Sequence, residues 1–272
     1  MSIGVVAGLT GLAVAWSQSD SGFLHVAHAE APPVANKSEY VDPTTKTAFP
    51  STIVSPEGVT LELVGTGVRT VSFLAIKVYA VAFYVSQREL AQARSGALEG
   101  WKGYTPERLI SSHSIPPEEQ QSVPVGEALI DNLLEKADAA VVIVPLRNTS
   151  LPHLRDGFSR ALVARMKVPS VAAAFDEQVS ERTGAALVEF KSFFPNGKLA
   201  AGAPMELHYS AVNRTIEFSI REGGPRGARQ VLGALKDGLL SQQLMVSYFS
   251  DSAAPSPELR KSVAMGFAGE PR

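Results

Sequence analysis

The 272-residue sequence predicts an α+β domain in which an antiparallel sheet packs against helices. Three observations predict it. Met205, Leu207 and Tyr209 alternate with Glu206, His208 and Ser210, and beyond a turn at Asn213-Arg214 the residues Ile216, Phe218 and Ile220 alternate with Glu217, Ser219 and Arg221. This period of two describes a β-hairpin with one buried face. Residues 139–146 are apolar throughout, as in a strand with neighbours on both sides. Leu154, Phe158, Leu162 and Met166 recur every four residues on one face of a helix spanning residues 152–167, with Pro152 at a favoured early position. Strands and helices follow one another irregularly, which argues against a doubly wound parallel sheet.

In chain order, Val59, Leu61 and Leu63 alternate with Thr60 and Glu62 in a first strand, which Gly65 and Gly67 are expected to close with a turn. A second β segment covers residues 68–85, long enough for two strands or one bulged strand. Short helices are expected at 87–93 and 125–136, the latter leading into the strand at 139–146. After the helix at 152–167 come a helix at 171–182, the hairpin, and helices at 229–249 and 257–265. Residues 30–46 are rich in Pro, small and polar residues and read as a linker, so the folded domain is expected over residues 47–268.

Residues 1–29 read as a targeting segment or marginal membrane anchor. Residues 3–16 are apolar apart from Thr10, a run shorter than the ~20 residues that span a bilayer comfortably. Ala27-His28-Ala29 offers a cleavage site, although no Lys or Arg precedes Lys37. With 25 basic and 27 acidic residues, the chain gives no electrostatic reason to bind nucleic acid. With no cysteine, it excludes disulfides, thiol catalysis, zinc-thiolate and iron–sulfur sites, and thiolate-ligated haem.

The segments Lys46-Thr-Ala-Phe-Pro50, Gly65-Thr-Gly-Val-Arg69, Lys77-Val-Tyr-Ala-Val-Ala-Phe-Tyr84, Arg147-Asn-Thr-Ser-Leu-Pro-His-Leu-Arg-Asp-Gly-Phe158, Gly238-Leu-Leu-Ser-Gln-Gln-Leu244 and Ser256-Pro-Glu-Leu-Arg-Lys-Ser262 resemble chalcone-isomerase-like domains over roughly residues 45–265. The 147–158 stretch is most similar to the fungal altered-inheritance-of-mitochondria branch. The resemblance implies a large antiparallel sheet with helices layered on one side and a cleft between them. It also implies a mitochondrial location, with inner-membrane association through residues 3–16 as a further expectation. Family members include intramolecular lyases that cyclise a chalcone, fatty-acid-binding proteins, non-catalytic helpers, and fungal proteins associated with haem.

Carried over residue by residue, the resemblance puts Arg69 at the arginine that steadies an enolate in the enzymes. A guanidinium suits any anion because it grips without giving up a proton. Tyr79 follows as a cleft phenol able to assist Arg69, and strand periodicity puts Lys77 on the same face. Ser241 matches the enzymes' Ser/Thr position. His153, with Asp156 three residues on, is the candidate iron ligand for a haem; His113 and His208 are weaker ones. The chain has no Tyr between Pro145 and Lys167, where the enzymes carry one, so the isomerase constellation is incomplete. Two readings stay open: a binder of an apolar anion such as a fatty acid or haem, or a lyase acting on a chalcone-like enone. The glycine-rich stretch at 223–227 lacks the P-loop pattern and reads as a turn.

Overall fold

The computed structural model describes residues 39–71, 75–111 and 115–270, so the targeting segment, the apolar run at 3–16 and His113 lie outside the described residues. The strands are β1 (Glu39–Val41), β2 (Ala48–Pro50), β3 (Thr52–Val54), β4 (Thr60–Val71), β5 (Ile76–Ser86), β6 (Ala139–Pro145), β7 (Thr149–Ser150), β8 (Lys198–Leu199), β9 (Met205–Ser210), β10 (Thr215–Arg221) and β11 (Arg229–Leu235). Seven of them form one sheet in the order β11-β10-β9-β6-β5-β4-β3, and every pairing is antiparallel. All seven residues of β6 are buried, as a strand central to the sheet requires.

The helices are α1 (Gln87–Ser95), α2 (Glu107–Ile110), α3 (Pro117–Gln120), α4 (Glu127–Leu134), α5 (Leu151–Arg165), α6 (Pro169–Ala172), α7 (Glu177–Ser192), α8 (Gly238–Val246), which continues into a 3-10 turn at Ser247–Phe249, and α9 (Pro257–Phe267). One sheet face, carrying Tyr79, Val81, Phe83, Val141 and Ile143, builds the main core with the apolar sides of α4, α5, α8 and α9. The opposite face carries Leu61, Leu63, Ala82, Tyr84 and Val142, packed with Phe49 of β2 and Tyr40 of β1.

Five local expectations are corrected. Residues 39–46, read as linker, belong to the β1–β2 hairpin. Asp42 builds its turn, accepting from the backbone N–H groups of Thr44 at 3.1 Å and Thr45 at 2.8 Å and from the Thr66 hydroxyl at 2.8 Å. A polar, Pro-bearing stretch describes a linker and an Asp-centred turn equally well. Gly65 and Gly67 make no turn: β4 runs straight through them, and they are glycines because α9 lies against the strand. A Cβ on Gly65 would stand 2.5 Å from the Val263 nitrogen, and one on Gly67 2.6 Å from the Leu259 Cα.

The helix expected at 171–182 is two helices. The Asp176 carboxylate accepts from the Val179 N–H at 2.7 Å and starts α7 afresh, which then runs to Ser192. The helix expected at 229–249 begins as strand β11, paired with β10 across a turn in which Gly223 and Gly224 take φ of 82° and 98°. Gly233, beneath the Phe193 ring, leaves no room for a side chain there. The hairpin is buried on both faces of β9, not one, because Glu206, His208 and Ser210 are also buried.

Candidate functional site

The face that Arg69 presents is set by two irregularities in the β4–β5 ladder. Leu63 pairs with Tyr84 but Gly65 with Phe83; Arg69 pairs with Tyr79 but Thr70 with Lys77. Each shift inserts one extra residue and turns the side chains beyond it to the other face. Cross-strand partners share a face, so Gly65, Gly67 and Arg69 lie on the helix-covered side with Phe83, Val81 and Tyr79. The same bulge corrects the expectation for Lys77. The extra residue, Val78, packs with the main core beside Tyr79, and Lys77 faces the opposite side, exposed, with Nζ donating to the Thr44 carbonyl at 2.9 Å.

Arg69 is half-buried, and its guanidinium carbon stands 5.7 Å from the centroid of the Tyr79 ring, within cation–π range. Among the described residues no carboxylate pairs with it. A strand-end arginine used only for surface neutralisation would have such a partner. Tyr79 is buried, and burial pushes its phenol above the usual value while the charge of Arg69 partly opposes that rise.

A third group, missed in the sequence, joins them. Tyr248, in the 3-10 turn after α8, is 3% exposed and packs in the same core as Tyr79. Burial raises its phenol well above the ordinary value, the Tyr79 phenol raises it further, and the Arg69 guanidinium lowers it. Both phenols therefore remain protonated donors at neutral pH. The signal for Tyr248 was present: a phenol set in the apolar run 244–249 needs a polar partner. Only the fold says which.

The other candidates are not brought to this cluster. The fully buried Ser241 hydroxyl donates to the Leu235 carbonyl at 2.9 Å, closing the β11–α8 connection. His153 is exposed in the first turn of α5, where its backbone N–H is held by the Ser150 hydroxyl at 3.2 Å. Asp156, expected to orient the His153 ring, is held by Arg155 at 2.8 Å. His208 is buried on the other face of the sheet beside Glu206 at 3.3 Å. Burial there would raise the Glu206 carboxyl, but bonding and charge from His208 and Arg221 outweigh it and hold the carboxyl at about 2. No group of three or more His, Asp or Glu among the described residues is arranged to hold a metal ion.

A seven-stranded antiparallel sheet with helices over one face, and on that face a half-buried arginine that pairs with no carboxylate among the described residues and stands beside two buried phenols, defines an α+β protein. The chain belongs to the chalcone isomerase like family, whose pattern matches residues 59–264. It is similar to the altered inheritance of mitochondria protein 18, mitochondrial, of Debaryomyces hansenii, at 27% identity over 86% of this chain and 79% of that one. It is also similar to the protein of the same name in Saccharomyces cerevisiae, at 24% identity over 79% of this chain and 66% of that one. Among solved structures it resembles a fatty-acid binding protein of Arabidopsis thaliana, with a TM-score of 0.55 and 16% identity, covering 86% of this chain and all of that one. That likeness supports the fold. No helix of the described residues is long and apolar enough to cross a membrane.

Proposed function

We propose that this chain binds an apolar carboxylate, a long-chain fatty acid in the first instance, with Arg69 clamping the carboxylate and the Tyr79 and Tyr248 phenols donating to it. The observation that carries the reading is a half-buried guanidinium with no carboxylate partner among the described residues, facing an apolar core beside two protonated phenols. A charge-assisted bond of this kind contributes about 1.5–3 kcal/mol, so Arg69→Ala is expected to weaken binding roughly 10- to 100-fold. Arg69→Lys keeps the charge but loses the fork and falls between the two. The name of the Arabidopsis neighbour is consistent with such a ligand.

A haem offers carboxylates of the same chemistry through its propionates, and Arg69 fits those. The imidazole expected to ligate its iron, His153, lies at the surface, so the residues fit the propionates and not an iron centre. The enone lyase is the weaker alternative: Ser241 is engaged with Leu235, and the tyrosine the enzymes carry after Pro145 is missing. Titrating purified, delipidated protein with a long-chain fatty acid by calorimetry tests the reading. Failure of wild type to bind any such acid, or an Arg69→Ala protein that binds equally well, would overturn it; turnover of a chalcone lost in Arg69→Ala would establish the lyase instead.

The mitochondrial names of the relatives support a mitochondrial location, with residues 1–29 as the targeting segment and residues 3–16 as the part that would meet a membrane. Imaging of a full-length fusion beside one lacking residues 1–29 tests this; identical distributions would refute it.

A further inference from the structure

Tyr248 is delivered to the site by α8, and α8 is held by more than apolar packing. Every residue from Leu240 to Val246 is buried, including Gln242 and Gln243. The Gln243 side-chain oxygen accepts from Arg165 of α5 twice, from Nε at 3.0 Å and Nη2 at 2.8 Å, and its amide nitrogen donates to Asp131 of α4 at 3.3 Å. Gln242 donates to the same Asp131 carboxylate at 3.0 Å, and its oxygen accepts from Arg214, in the β9–β10 turn, at 2.6 Å. Arg165 is itself held by Glu127 at 2.7 Å. Two adjacent residues of one helix are thus gripped by two neighbouring helices and a turn.

Apolar contacts alone would let α8 slide or rotate slightly at small cost, whereas directional bonds to three separate elements permit one register. Tyr248 lies five residues beyond Gln243 on unbroken helical backbone. Its phenol oxygen sits roughly 9 Å from the helix axis, so a rotation of about 10° moves it by about 1.5 Å. That displacement is enough to take a hydrogen-bond donor out of range.

We infer that the Arg165–Gln243–Asp131 network positions Tyr248, and that Arg165 and Gln243 act on ligand binding through that phenol without touching the ligand. This rests on the proposed function. The test combines two readouts on the full chain, using Gln243→Leu, which keeps the volume and removes the polar amide, and Arg165→Lys, which keeps the charge and removes the fork.

The first readout is the affinity for a long-chain fatty acid in a double-mutant cycle with Tyr248→Phe. Gln243→Leu is expected to weaken binding by about as much as Tyr248→Phe, roughly 3- to 10-fold, and to add less than about 2-fold in the Tyr248→Phe background. The second needs no ligand: the fluorine resonance of Tyr248 in 3-fluorotyrosine-labelled protein, identified by its loss in Tyr248→Phe, shifts or broadens in both variants. Additive losses in the cycle, or an unmoved Tyr248 resonance in variants that have only lost melting temperature, would overturn the inference and leave the network a structural tie. If Gln243→Leu does not fold, Arg165→Lys carries both readouts. If wild type binds no fatty acid, the binding reading fails, and the resonance alone decides whether the network sets the Tyr248 position.

Discussion

Replacing Gly67 by alanine probes how the helix layer meets the strand that carries Arg69. The new Cβ would lie 2.6 Å from both the Leu259 Cα and the Ser256 hydroxyl oxygen, where ordinary contact begins at 3.4 Å. The Leu259 backbone nitrogen would lie nearer still, so the first turn of α9 must withdraw by about 1 Å, or β4 must bow away from it. Gly67 is not among the residues with positive φ, so alanine meets no backbone penalty and gains about 0.4–1 kcal/mol by restricting the unfolded chain. Against that stand about 1–3 kcal/mol for overpacking and up to about 1 kcal/mol for disturbing the Ser256 cap, whose hydroxyl accepts from the Leu259 N–H at 3.1 Å. The balance is a loss of about 2 kcal/mol. Urea unfolding should show a lower midpoint with unchanged slope. Gly157→Ala in α5, where nothing lies within 4 Å, is the matched control and should gain about 0.5–1 kcal/mol. A Gly67→Ala protein within about 0.5 kcal/mol of wild type would refute close approach of α9 as the reason for glycine at that position.

Three further outcomes follow from the same contacts. Glu206 has its carboxyl held at about 2 against 4.5 unperturbed, so its contribution of about 3 kcal/mol is present above pH 4.5 and is lost as the pH falls toward 2. Acid unfolding of Glu206→Gln should lack that component, and a wild-type curve superimposing on the variant's would count against the ionised cluster. Ser241→Ala should cost about 1 kcal/mol by leaving the Leu235 carbonyl unpaired, with fatty-acid affinity unchanged in calorimetry; a tenfold loss of affinity would return Ser241 to the site. His153→Ala should leave thermal stability within about 0.5 kcal/mol and ligand affinity unaltered, since the imidazole is exposed; loss of a haem absorption band in that variant would contradict the placement.

The segments best read from the sequence were those whose environment is periodic. The 139–146 run and the 205–221 hairpin lie where their patterns put them, because burial on one or both faces of a strand writes itself directly into residue order. Leu154, Phe158 and Leu162 likewise mark the buried side of α5. The misread segments share a different cause. Gly65 and Gly67 signal a turn by local rules, and only the arrival of α9, nearly two hundred residues later in the chain, explains them as clearance. Residues 229–235 carry no clear local preference, and their pairing with β10 overrode a helical reading.

The same division runs through the site. Sequence alone determined that this is a cysteine-free α+β chain with an arginine in a Gly-x-Arg segment of the chalcone isomerase like type, and it supplied Tyr79 as the partner of Arg69. It could not decide which neighbours share a face with Arg69, because a single extra residue at Val78 reverses the parity of everything before it and sends Lys77 to the far side of the sheet. Nor could it bring in Tyr248, which lies far along the chain and reaches the cluster only through the packing of α8, or show that the Ser241 hydroxyl is engaged with the Leu235 carbonyl and that His153 is exposed. Residue types and periodicities are local and survive in the sequence. Strand parity, helix register and exposure are properties of packing, and only the tertiary structure decides them.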